Sequence, residues 1–153
     1  MRIGHKATDV ADYVLWLACE SEKSLTPMQL LKLVYLCHGW MLGIHARPLI
    51  WENVEAWKYG PVIPSVYHAY KKFGGGPIPI VPKDEPEGFD EPERDIMKQV
   101  WDAYGRFNGI QLSTITHEKN SPWDITFRDD ARGVPIPNDL IADHFGKLAA
   151  PHS

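Results

Sequence analysis

Residues 30–42 constrain the fold of this chain most, because they are apolar on nearly every side of a helix. They read LLKLVYLCHGWML, in which Lys32 is the one charged side chain. A helix with so little polar surface usually lies at the centre of an α-helical domain. The preceding TPMQ, which begins at Thr26, matches a capping box with proline at the first helical position. Gly39 and Gly43, one turn apart, would let a second backbone approach this helix closely.

Shorter periodic segments predict the helices that surround this one. Their expected starts are Thr8, Pro64, Asp90, Asn108, Ser121 and Asn138. Each of these residues suits a helix cap or a first turn. Two apolar runs, 48–51 and 54–57, flank a Glu52-Asn53 turn and predict a small β-hairpin. We therefore expect a mainly α-helical fold, as a single compact domain over residues 1–153.

Residues 77–92 differ from the rest of the chain in composition. They contain five prolines and five acidic residues and show neither a helical nor a strand period. Such a segment is typical of a loop. We do not expect a domain boundary there, because neither side looks large enough to fold well alone.

Charge and hydropathy narrow the classes of function. The net charge is −4 and the isoelectric point is about 5.9, which argues against nucleic acid as a partner. Residues 1–73 nevertheless carry eight basic and six acidic side chains, so a weakly positive patch can form there. Asp9 and Asp12 interrupt any signal-peptide pattern, and no apolar run approaches the roughly 20 residues of a membrane span. We expect a cytoplasmic protein.

Sulfur and histidine spacing predicts neither a metal site nor a cofactor. Cys19 and Cys37 lie in apolar helical segments without a C-x-x-C pair, so we expect two reduced core thiols. The seven histidines include no H-x-x-x-H pair. Phosphate-binding and nucleophile-elbow motifs are also absent from the sequence. A nucleophile built from Cys37 and His117 is conceivable, but burial in the most apolar helix would make this thiol inert.

Two segments could carry function through surface contacts. In the first, Trp57, Lys58 and Tyr59 precede Gly60-Pro61. Lys58 is either a cation–π partner, a reactive amine, or simply a lysine extending from a strand edge.

The second segment, THEKNSPW, places His117 at a helix C-terminus and Trp123 just after a proline. The structural interpretation is that the histidine caps the helix and the tryptophan closes the core. The functional interpretation is a surface contact formed together with the GPV turn at Gly60.

These motifs resemble the Panacea domain, also called the SocA-like antitoxin domain. The resemblance covers residues 11–145, with Trp40 one residue from the family's usual spacing. The matching positions are Lys32, Leu33, Tyr35, Trp40, Pro48, Leu49, Glu55, Ala56, Trp57, Tyr59, Gly60, Pro61, Val62, Pro64, Tyr67, Leu112, Thr116, His117, Pro122 and Trp123. The resemblance implies a mostly helical, often phage-associated domain that serves as antitoxin beside diverse toxins. Some members act as adaptors that hand a toxin to a protease.

Three functions remain open from the sequence. The first is an antitoxin that binds a cognate toxin protein directly, and the second is a hydrolase that uses Lys58 or His117. The third is a DNA-binding regulator of its own operon. The missing catalytic motifs count against the second, and the acidic charge counts against the third, so we expect a non-enzymatic antitoxin. Its expected contact residues are Trp57, Lys58, Tyr59, Pro61, His117 and Trp123, with residues 77–92 as a second element that gives specificity.

Overall fold

A computed structural model describes residues 3–150, and within them the chain is mainly α-helical with a small antiparallel sheet, as predicted. The helices are α1 (Ala7–Glu20), α2 (Pro27–His45), α3 (Pro64–Tyr70), α4 (Glu91–Tyr104), α5 (Gly109–Thr116), α6 (Pro122–Thr126) and α7 (Asn138–Ala149). The strands are β1 (Val54–Trp57), β2 (Gly60–Val62) and β3 (Val134–Ile136), in the order β2-β1-β3. A 3-10 turn, Lys71–Phe73, extends α3. No helix among the described residues is long and apolar enough to cross a bilayer.

Helix α2 is the centre of the fold, as its apolar sequence predicts. It packs against α1, α4, α5 and α7. The predicted capping box is confirmed: the Gln29 amide donates to Thr26 Oγ1 at 3.3 Å, and the Thr26 amide donates to Gln29 Oε1 at 2.9 Å. These two bonds satisfy amides that a helix N-terminus otherwise leaves unpaired.

The two glycines of α2 mark where α7 crosses it. A Cβ atom on Gly43 would lie 2.7 Å from the backbone nitrogen of Gly146. A Cβ atom on Gly39 would lie 2.3 Å from the Phe145 ring. The predicted close approach to α2 is therefore confirmed, and its partner is α7.

Two predicted caps are wrong, and in both cases a residue distant in sequence explains the difference. Helix α1 begins at Ala7, before Thr8, and the Ala7 amide donates to Glu52 Oε2 at 2.6 Å. Helix α7 begins at Asn138 itself, and that side chain bonds to the His38 ring at 3.1 Å instead of capping the helix. A short-range sequence pattern cannot reveal such partners.

The hairpin exists, but its predicted position is wrong. Strands β1 and β2 pair across a Lys58-Tyr59 turn, with Trp57 opposite Gly60. Gly60 adopts φ +124°, a backbone conformation that glycine reaches without strain. Pro61 lies within β2, which tolerates the missing amide because β2 is an edge strand. Strand β3, which pairs with the other side of β1, was not predicted.

The proline-rich connection is irregular, as predicted, but it is attached to the helices at several points. The Ile78 amide donates to the Leu25 carbonyl at 2.8 Å, and the Tyr13 hydroxyl donates to Glu85 Oε2 at 2.5 Å. The Phe89 ring packs against Tyr13, with ring centroids 5.3 Å apart. The connection ends at the capping box that starts α4 at Glu91.

The two cysteines have different environments. Cys37 is buried in α2, and burial raises the pKa of its thiol, as expected for an inert core residue. Cys19 is exposed, so the prediction of a second core thiol is wrong. The buried stripe of α1 ends with Leu17 and Ala18, and the next residue turns about 100° away from it toward solvent.

Candidate partner-binding surface

The turn of the hairpin presents two exposed side chains beside a half-buried tryptophan. Tyr59 is 67% exposed, and Lys58 Nζ lies 5.4 Å from the centre of its ring, within cation–π range. The Trp57 ring packs edge-on against Tyr67 at 4.9 Å, and its Nε1–H donates to Glu55 Oε1 at 2.9 Å. Trp57 is therefore anchored on both sides, while Lys58 and Tyr59 face solvent.

A buried lysine supports this turn from below, and sequence reasoning missed that role. Lys32 is 3% exposed, and its ammonium donates to the Pro61 carbonyl at 3.0 Å and more weakly to the Tyr59 carbonyl at 3.5 Å. Burial lowers the pKa of Lys32 to about 8. A Cβ atom on Gly60 would lie 2.9 Å from Lys32 Nζ, which explains why glycine suits this corner. A lone charge in an otherwise apolar helix was the signal that could have identified it.

Helix α5 holds the same turn from a second direction. The Ser113 hydroxyl donates to the Tyr59 carbonyl at 2.8 Å, so this carbonyl receives hydrogen bonds from both α5 and α2. Ser113 itself is buried. The backbone of the turn is thus fixed by two helices, and its exposed side chains project from a rigid support.

The second predicted segment lies against the first. The Trp123 Nε1–H donates to the Trp57 carbonyl, and the His117 ring packs edge-on against Trp123 at 5.3 Å. His117 Nδ1 bonds to the Ser113 carbonyl, so Nδ1 carries the proton of that bond. Both rings are half-buried, and Pro61 is buried in β2. The structure thus brings the predicted residues together, but Lys58 and Tyr59 are the most accessible of them.

Two grooves border the turn and share Trp57 and Lys58. The first, of about 380 Å³, lies between the start of α2, the hairpin and α3, and we call it the lysine groove. Its lining consists of Pro27, Met28, Leu31, Lys32, Trp57, Lys58, Tyr59, Val62, Tyr67, Lys71 and Gly74. The second groove is more open, has a volume of about 990 Å³, and lies between β1 and residues 127–133.

Lys58 and His117, the two residues of the hydrolase hypothesis, have no activating neighbour among the described residues. Within residues 3–150, neither side chain has a hydrogen bond to a carboxylate or hydroxyl that would activate it. The same residues contain no group of three His, Cys, Asp or Glu side chains able to hold a metal ion. What the surface offers is an aromatic and cationic contact area on a fixed backbone.

The fold and surface define a mainly α-helical domain with an exposed aromatic and cationic turn, and comparison with known proteins assigns this domain to a family. A model of the "Antitoxin SocA-like, Panacea domain" family matches residues 30–124, which include most of α2, the hairpin, α5 and Trp123. "Antitoxin SocA" of Caulobacter vibrioides (strain NA1000 / CB15N) is 31% identical over 155 residues, covering 91% of this chain and 81% of that protein. No solved structure matches the chain. The chain belongs to the SocA-like Panacea family, which confirms the resemblance seen in its motifs.

Proposed function

We propose that this protein is the antitoxin of a toxin–antitoxin pair and neutralises its cognate toxin by binding it directly. The observation that carries this proposal is the exposed Lys58-Tyr59 turn, held rigidly by Lys32 and Ser113, in a chain of an antitoxin family. Aromatic residues supply much of the energy of protein interfaces. A support that is already rigid loses little conformational entropy when it binds.

Exposed apolar side chains extend this surface beyond the turn. Met28, which lines the lysine groove, is 42% exposed, and Ile110 at the start of α5 is 76% exposed. A Cβ atom on Gly109 would lie 3.1 Å from Met28, so Ile110 follows directly after a point of contact between α5 and α2. Tyr59, Met28 and Ile110 are therefore the expected apolar contacts with the toxin. Trp57, Pro61, His117 and Trp123 belong to or pack behind the hairpin that carries Tyr59.

The proline-rich connection is the second contact element in this proposal. Ile80 is 63% exposed within it, although the connection is attached at Ile78, Glu85 and Phe89. The attachments would present Ile80 in a defined position. The same element is available for delivery of a bound toxin to a protease, the adaptor role that the family resemblance implies.

The test is rescue of growth in cells that express the protein encoded beside this gene. Wild-type protein should relieve toxicity, and Tyr59→Ser combined with Lys58→Glu should relieve it less, because the contact surface is altered. Lys98→Glu is the matched control, since this exposed lysine lies on α4, which packs against α1 and α2. Circular dichroism confirms that each variant folds.

The outcomes separate the candidate functions. The proposal fails if the neighbouring protein is harmless alone, or if no complex with it is recovered on co-purification. Full rescue by the double variant would show that binding uses another face. A toxin level that falls only in cells with an intact protease would support the adaptor role. Specific retention of the operon DNA, with no toxin complex, would favour the regulator.

A further inference from the structure

The lysine groove has a charge that contrasts with the rest of the molecule. Lys32, Lys58 and Lys71 line it, and among its described lining residues there is no Asp or Glu. The whole chain, by comparison, has a net charge of −4. The positive potential of this groove is therefore a local feature that would attract a negatively charged ligand.

The lysines occupy two levels of the groove. Lys58 and Lys71 are exposed, and their ammonium groups lie over the rings of Tyr59 and Tyr67 at 5.4 and 5.8 Å from the centroids. Lys32 is buried, and two backbone carbonyls accept from its ammonium, which has three donors in all. Within residues 3–150 no carboxylate forms an ion pair with Lys32. A carboxylate that entered the groove would therefore meet a cation whose charge is incompletely compensated.

The floor of the groove is apolar. Leu31 and Val62 form part of it and are 7% and 6% exposed, while Met28 at the side is 42% exposed. A volume of about 380 Å³ is at the small end of the range for ligand pockets and suits a few side chains of a peptide. An apolar floor with cations around it complements a segment that carries both apolar and acidic side chains.

We propose that the lysine groove binds an acidic segment of the partner protein, with an apolar side chain on the floor and carboxylates against Lys58 and Lys71. This inference rests on the proposed function and adds the chemistry of the segment that is recognised. The buried cation of Lys32 gives the floor its positive potential, and its pKa of about 8 agrees with a lysine that has no acidic neighbour.

The arrangement of the rings favours a peptide over single-stranded nucleic acid. Trp57 and Tyr67 pack edge-on at an interplanar angle of 67°. The ammonium groups of Lys58 and Lys71 lie over one face of the Tyr59 and Tyr67 rings. Base stacking needs an open aromatic face. The apolar floor of Leu31 and Val62 offers no hydrogen-bonding group to a base, whereas it accepts an aliphatic or aromatic side chain.

The experiment measures the affinity of the purified partner, the protein encoded beside this gene, for wild-type protein and for Lys58→Glu/Lys71→Glu. We expect the double variant to bind about 10- to 100-fold more weakly, because charges that attracted carboxylates now repel them. Lys98→Glu is the control and should bind within about twofold of wild type, because this exposed lysine lies on α4, which does not line the groove, and salt screens exposed charges. Lys58→Gln/Lys71→Gln should give an intermediate loss and serves as a second variant if the charge reversal disturbs folding.

Short overlapping peptides that span the partner then identify the segment. The bound peptides should be acidic and should contain at least one large apolar residue, and replacement of their acids by lysine should restore binding to the double Glu variant. Equal affinity of wild type and double variant, or bound peptides that are basic, would overturn the groove assignment while leaving the antitoxin function intact. Groove-dependent binding of a single-stranded oligonucleotide in place of any peptide would also overturn it. If wild type forms no complex, both proposals fail.

Discussion

At the scale of single residues, two buried titratable groups in α2 organise their surroundings through backbone hydrogen bonds. Lys32 donates to the carbonyls of the hairpin turn, and His38 Nδ1 accepts from the amides of Leu49 and Ile50 at 3.2 and 3.3 Å. Because amides only donate, the proton of the neutral His38 ring lies on Nε2, which donates to Asn138 Oδ1 at 3.1 Å. Each group joins α2 to parts of the chain that are remote in sequence.

The burial of Lys32 predicts that stability rises with pH in alkaline solution. Its folded-state pKa of about 8 lies below the usual 10.5, so the unfolded chain binds more protons between these values. Raising the pH from about 7 to 9.5 should stabilise wild type relative to Lys32→Met by on the order of 2 kcal/mol. Urea unfolding of both proteins at each pH measures this difference. A difference that does not change with pH would contradict it.

The burial of His38 predicts the same direction of pH dependence in acid solution, where stability falls as the pH falls. Burial lowers its folded-state pKa to about 4 from the usual 6.5, so the unfolded chain takes up the proton first as the pH falls. Stability that is present above pH 6.5 should decline by about 2 kcal/mol on going to pH 5. His38→Gln removes this titration and should lose less stability over the same range in thermal unfolding scans. An equal loss in both proteins would assign the acid sensitivity to other groups.

At the scale of elements, α2 depends on a local cap at its start and on two glycines in its second half. The Thr26 capping box satisfies the first amides, and Gly39 and Gly43 admit α7. Both features follow from the sequence alone, because capping boxes and small residues one turn apart are local patterns. Which helix crosses α2 at these glycines depends on tertiary packing, and the sequence pattern does not identify it as α7.

Loss of the α2 cap should reduce stability by a measurable amount. Thr26→Ala removes a side-chain acceptor and should lower the free energy of unfolding by about 0.5–2 kcal/mol. Thr8→Ala is the matched control, because Thr8 lies inside α1 and caps nothing, so its effect should stay within about 0.5 kcal/mol. Denaturant titration of the two variants measures both. Equal losses of unfolding free energy in the two variants would mean that the capping box does not stabilise α2.

A methyl group at the crossing of α2 and α7 should be destabilising even though alanine is the better helix former. Gly43→Ala would place a Cβ atom 2.7 Å from the Gly146 nitrogen. This steric clash involves a backbone atom, so one of the two helices would have to shift to remove it. We expect a loss of about 1–3 kcal/mol, as for other overpacked sites. Gly75→Ala has nothing within 4 Å of its new atom and should be close to neutral. A stabilised Gly43→Ala protein in thermal unfolding would show that α7 can move away from α2.

A helix cap can be predicted from sequence when its hydrogen-bond partner lies close by in the chain, and cannot when the partner is distant. The boxes at Thr26, Asp90 and Asn108 use residues three positions apart and were predictable. The sequence could not show that the caps expected at Thr8 and Asn138 are absent. Glu52 bonds to the first amide of α1 and His38 bonds to the Asn138 side chain, and both residues are distant in sequence from these helix starts. The hairpin turn expected at Glu52-Asn53 lies instead at Lys58-Tyr59. The reason is similar, because the Glu52 side chain bonds to Ala7 and Ser65, which are distant in sequence.

The candidate surface was predictable in its residue types but not in their exposure. Trp57, Lys58 and Tyr59 were identified from their unusual sequence, and His117 and Trp123 from the chemistry of the THEKNSPW segment. Only the structure shows that Tyr59 is open to solvent while Pro61 is buried, and that Lys32 holds the turn. These distinctions depend on packing between α2, α5 and β2, which no local pattern contains.

At the scale of the whole molecule, one end of the fold combines a rigid turn, exposed apolar residues and a local positive charge. Helices α2 and α5 support the turn, whereas α7 crosses α2 at Gly39 and Gly43, more than one helical turn beyond Lys32. The family match includes the turn and its supports but ends before α7, which begins at Asn138. We therefore propose that the hairpin end binds the partner and that α7 has a packing role.

Amide hydrogen exchange of the purified protein, alone and saturated with its toxin, tests this assignment most directly. We predict slower amide exchange at Lys58 and Tyr59, at the first turn of α2 and at the first turn of α5 when toxin is bound. Exchange in the exposed part of α7 should stay the same, because that helix lies outside the proposed contact. Protection confined to α7 or α4, with no change at the Lys58-Tyr59 turn, would contradict the central claim.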